Sequence, residues 1–78
     1  MTAHEGPPEG YIEPITAWSV EYVDPSEPEV GSHQVGAFTT ETEAVRLRQR
    51  LATGGFFAEL HINIIPVHRR VEDWEWDR

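Results

Sequence analysis

TETEAVRLRQRLATGG, residues 40–55, encodes one helix together with both of its ends. Thr40 and Glu43 form a Thr-x-x-Glu capping box, in which each side chain satisfies an amide that the first helical turn leaves without a partner. Residues 41–53 are rich in good helix formers, namely Glu, Ala, Leu, Arg and Gln. Glu41 and Glu43 stand in the first turn and the arginines follow, the order the helix dipole favours. Gly54-Gly55 supplies a left-handed stop. Ala44, Leu47 and Leu51 line one side, with Val45 and Ala52 beside them, so this helix has an apolar stripe to bury.

What it covers is encoded on either side. ITAWSVEYV, residues 15–23, alternates and predicts a strand with Trp18, Val20 and Tyr22 on one face. DPSEPEVGS follows, with two prolines, a glycine and acids, which is turn chemistry. SHQVGAFT, residues 32–39, predicts a weaker second strand in which Gly36 marks a bulge. FFAELHINII, residues 56–65, predicts a third, with Phe56, Ala58, Leu60, Ile62 and Ile64 on one face. Pro66 has no N–H to donate and marks that strand's end or an edge position. The short connection makes the first two strands antiparallel. The helix then carries the chain back so that the third strand lies beside the first. The expected fold is α+β: ββαβ, a three-stranded antiparallel sheet of order 2-1-3 with one helix packed on one face. The domain is expected at 15–67, between a flexible acidic tail at 1–14 and a charged, Trp-bearing tail at 68–78.

A chain of 78 residues has room for one small domain, which buries only about 60% of its unfolded surface. With no cysteine, disulfides and thiolate metal sites are excluded. The means of stabilisation left to so small a core are self-association or very good packing. No apolar run reaches the roughly 18 residues of a membrane span. MTAHEGPPEGYIEP lacks the basic and apolar regions of a signal peptide, so a cytoplasmic location is expected. The net charge is −8, and it is unevenly placed. Residues 1–43 hold nine acids and neither Lys nor Arg, whereas residues 44–78 hold five acids and all six arginines. Such a chain repels phosphate backbones, and direct nucleic-acid binding is disfavoured.

The chemistry-bearing residues are few. Of His4, His33, His61 and His68, only His61 has a carboxylate on its strand face, Glu59, and an ordinary polar sheet face is the favoured reading. Ser19 and Ser32 sit in no nucleophile motif. No catalytic residue, cofactor or metal is expected. Arg46 and Arg50 project from one side of the helix. Arg48 falls in the apolar sector and must snorkel or find a carboxylate or an aromatic face. Trp74 and Trp76 stand out, because exposed tryptophans are unusual outside binding sites. The sheet face without a helix mixes Ile15, Ala17, Val23, Val35, Ala37, Phe57 and Ile65 with Glu21, Glu59, His61 and Asn63, which resembles an interface more than a free surface.

The run from Trp18 to Val23, then FTTETEA at residues 38–44 and the arginine-rich helix to Gly54-Gly55, resembles small ββαβ proteins of actinobacteria and their phages. The pattern is generic, leaves out the WEWDR end, and implies a fold but no functional residue. The expected function is a non-enzymatic protein–protein interaction module, of the kind a small phage or host regulator would be. The expected partners are a second copy, in a homodimer, and a further protein. Trp74, Trp76, Phe57, Ile65, Arg46 and Arg50 are the candidate partner-binding residues. An acidic nucleic-acid mimic, or a nucleic-acid-associated regulator, and a small enzyme subunit are the alternatives.

Overall fold

The computed structural model describes residues 6–78. The elements are β1 (Ile15–Val23), β2 (Ser32–Phe38), α1 (Glu41–Thr53), β3 (Leu60–Val67) and α2 (Val71–Trp76), with a single 3-10 turn at Pro28–Val30 between the first two strands. The sheet has the order β2-β1-β3, and both pairings are antiparallel. The expected α+β arrangement is therefore present, and α2 is an element that the charged C-terminal segment did not announce. No helix among the described residues is long and apolar enough to cross a membrane.

The ends of α1 form as its sequence dictates, with one difference. Thr40 Oγ1 accepts the Glu43 N–H at 3.4 Å. The Glu43 carboxylate turns instead to Arg46, 3.0 Å away one helical turn on, so only the threonine half of the capping box forms. At the other end, Gly55 adopts φ +84°. Phe56 N–H donates to Leu51 O at 3.0 Å and Gly55 N–H to Ala52 O at 3.1 Å, the paired bonds of a Schellman stop.

Gly36 does mark a bulge. Val20 pairs with Gly36 but Glu21 pairs with Gln34, which leaves Val35 as the extra residue of β2. The glycine also serves packing, since a Cβ there would lie 3.2 Å from Leu47 Cδ2. Beneath this contact sits Val20, fully buried between Gly36 and Ile62.

The sheet's other face has no covering layer, yet Ala17 and Ser19 are buried on it. Both are small, sit on the central strand and lie between the side chains of neighbouring strands. Ser19 Oγ accepts from Gln34 Nε2 at 2.9 Å. His61 has Glu21 as its neighbour at 3.6 Å, its cross-strand partner in the register, rather than Glu59. Arg48 is half-buried and makes no ion pair among the described residues, which is the snorkelling outcome.

The third strand begins later than its pattern suggests, at Leu60 instead of Phe56. β1 ends at Val23, before Asp24-Pro25, and its last pairing with β3 is Tyr22 with Leu60, so residues 56–59 have nothing to pair with. Phe56 and Phe57 instead pack edge-on against the Tyr22 ring, at centroid distances of 5.1 and 5.2 Å, while His33 stacks on it at 5.1 Å. Pro66 occupies an edge strand, where the missing donor is tolerated.

Replacing Thr40 by alanine is expected to destabilise the protein by about 0.5–1 kcal/mol, the lower part of the usual N-cap range, because the bond is long and its reciprocal half is absent. Urea melts of both proteins measure this, and coincident midpoints would show that the cap contributes nothing.

Candidate functional site

The β1–β3 ladder outruns the β1–β2 ladder. Pairing with β3 extends to Ile15 and Val67, whereas pairing with β2 stops at Trp18 and Phe38. Past that point the molecule narrows to two strands, and the chain on either side of them builds an arm. After Val67 it turns into α2, and before Ile15 it makes a turn in which Tyr11 N–H donates to Pro8 O at 3.0 Å. Gly10 takes φ +79° in this turn, a conformation that disfavours a side chain, and sits against the Arg70 guanidinium.

α2 has no side-chain N-cap, but Glu72 and Asp73 stand in its first turn, where the dipole favours acids. Asp73 points inward and is fully buried. Arg70 grips it with two bonds, NH2 to Oδ1 at 2.8 Å and Nε to Oδ2 at 3.3 Å. Arg70 donates a further bond to Glu9 O at 3.1 Å. This one ion pair therefore ties α2 to the segment before β1. The hydrogen bond from Arg70 holds the Asp73 carboxyl below the usual carboxylate range, against the opposing effect of burial. The same bond raises Arg70 above the usual guanidinium value.

A second polar group closes the arm's tip. Asp77 accepts from the Tyr11 hydroxyl at 2.8 Å and lies 2.8 Å from His68 Nε2. Burial of the phenol first, and the Asp77 carboxylate second, push Tyr11 up to about 12. Between these groups lies an open cleft of about 860 Å³ that includes Pro14, Ile65, Pro66 and Trp74 in its walls. The Arg78 guanidinium sits 4.4 Å from the centre of the Trp74 ring. Among the described residues no cluster of three or more His, Asp or Glu could hold a metal ion. The cleft offers an aromatic face, an apolar floor and hydrogen-bonding groups already engaged with one another, which suits recognition of a surface.

The six candidate residues are not brought to one place. Trp74 and Trp76 lie on α2, 44% and 45% exposed, and Ile65 shares the cleft with Trp74. Phe57, 60% exposed, stands at the opposite end of the sheet beside Val23, Pro25 and Leu60. Arg46 and Arg50 lie on the outer side of α1 around a shallow hollow with Gln49 and Thr53. His4 lies outside the described residues. Tyr11 and Ile12 stand out in the sequence as residues of the tail able to dock locally, and Tyr11 does so on Asp77; His68, Arg70, Asp73 and Asp77 are not marked by it, apart from the Arg70-x-x-Asp73 spacing, which places opposite charges on one side of a helical turn.

No family model, curated protein or solved structure matches this chain.

Two titrations follow from the arm. Because the Asp73 carboxyl is lowered in the folded state, its contribution is complete above the ordinary carboxylate value and is lost as the pH falls through the lowered one. Tryptophan fluorescence should therefore report loosening of the arm below about pH 4. Asp73→Asn should loosen it already at neutral pH and remove that acid limb; an unchanged acid limb would contradict this role. At the alkaline end, Tyr11 keeps its proton while bound to Asp77, so its contact is lost as the pH rises towards 12. Phenolate absorbance should show one tyrosine titrating near that value and Tyr11→Phe should abolish the step.

Proposed function

We propose that this chain is a non-enzymatic interaction module, the active element of a small regulator, which works by docking its apolar surface against another protein chain. One observation carries the reading. Among the described residues only Ala17, Val20 and Ala44 form a buried apolar core, while eleven large hydrophobic side chains remain exposed, Trp74 and Trp76 among them. Each of these side chains, 38–66% exposed, leaves apolar surface in water that a partner could bury, at about 25 cal/mol per Å².

The dimensions support the same reading. The radius of gyration is 17.1 Å, where a compact chain of this length has about 11–12 Å. The accessible surface is 5825 Å², against about 4,800 Å² for a globular monomer of this mass. Exposed aromatic residues beside a cleft are the usual anchors of such surfaces.

Affinity capture with the immobilised full chain tests the proposal when run beside a Trp74→Ala/Trp76→Ala double variant. Both tryptophans are exposed, so the variant should keep its circular dichroism spectrum. Proteins retained by the parent, this chain itself included, are expected to be lost from the variant. Equal retention by both would count against the reading.

A further inference from the structure

We infer that the partner is a second copy of this chain, paired antiparallel along the outer edge of β3 so that two three-stranded sheets join into one of six strands. The inference rests on the interaction-module reading and names its occupant.

The two edges of the sheet differ. The outer edge of β2 is interrupted by the bulge at Val35, one of the devices that stop an edge from pairing. The edge of β3 runs for eight residues in unbroken register with β1, Leu60–Val67. It carries no Asp, Glu, Lys or Arg, and only Pro66, near its end, blunts it. Its backbone groups on that side have no partner strand. Ile64 stands on it 63% exposed.

A second copy is singled out by what lies at the two ends of this edge. Past one end, Val67, Val71 and Trp74 surround a shallow hollow of about 460 Å³. Past the other, Val23, Phe57 and Leu60 line a second hollow of about 600 Å³. Within one chain the length of the strand holds these patches about 23 Å apart. Antiparallel pairing of β3 with its own copy brings the first patch of each chain to the second patch of the other. The match holds twice by symmetry, which is the property of a twofold interface. The charges agree with it. Arg69 stands beside the first patch and Glu59 beside the second, and neither has an ion-pair partner among the described residues. Across the twofold each Arg69 faces the neighbour's Glu59 region.

Sedimentation of the full chain over a concentration series is expected to show a monomer–dimer equilibrium. Ile64→Lys, at an exposed site near the middle of the edge, should place two like charges close to the axis and raise the dissociation constant about tenfold or more. Glu59→Arg should weaken the dimer and Arg69→Glu added to it should restore it, a rescue that a dimer through another surface would not show. A monomer at high micromolar concentration overturns the inference, as does a dimer indifferent to Ile64→Lys and to the charge exchange. A monomeric chain that still retains a partner through Trp74 and Trp76 in affinity capture removes the self-pairing and leaves the interaction module standing. Loss of both removes both.

Discussion

The approach of Leu47 to Gly36 over Val20 is the contact on which the sheet and α1 depend. A three-stranded sheet with one helix has a single interior, and here that interior is one fully buried valine between a glycine and an isoleucine, with Ala44 buried above. Because Gly36 lacks a Cβ, the Leu47 side chain of α1 can lie over it, where a Cβ would stand 3.2 Å from Leu47 Cδ2. The same glycine lies at the bulge of β2, so the device that lets the helix down also bends the strand beneath it. With so little interior, local features carry an unusual share of the specification: the threonine cap, the Schellman stop, and the ring cluster around Tyr22.

The arm obeys a different logic. Its packing is organised around a buried carboxylate rather than around apolar side chains. A buried charge is tolerated only when its partner and remaining hydrogen-bond sites are supplied. Arg70 supplies both, with one bond to each carboxylate oxygen of Asp73. That geometry leaves Trp74, Trp76 and Val71 only partly covered by their own chain. An inward charge and partly exposed tryptophans reverse the usual order of a small domain, and the proposed recognition surface rests on that reversal.

The fold was legible because its signals are local. A Thr cap, a Gly-Gly stop and one alternating run fix the helix and the central strand without knowledge of tertiary structure. The start of β3 was not, because Phe56-Phe57 alternates as well as the residues after it, and only the length of β1 decides where pairing begins. The site was half legible. Trp74, Trp76 and Ile65 are conspicuous by type or by face, whereas Tyr11, Asp73 and Asp77 acquire meaning only through contacts that no periodicity encodes. Segment 8–14 looked unable to order itself, and alone it has no apolar face to bury. It is held by a helix encoded some sixty residues later, through Arg70 to Glu9 and Tyr11 to Asp77.

That distance along the chain has a kinetic meaning. The bonds from Arg70 to Glu9 and from Tyr11 to Asp77 span 61 and 66 residues. Closing so long a loop from an unfolded chain meets the full entropy of bringing its ends together, whereas closing it after β1 and β3 have zipped meets almost none. Chain-closure entropy therefore favours assembly of the arm on a sheet that has already paired. The sheet is thus the template, and the arm's long-range bonds are cheap only once that template exists.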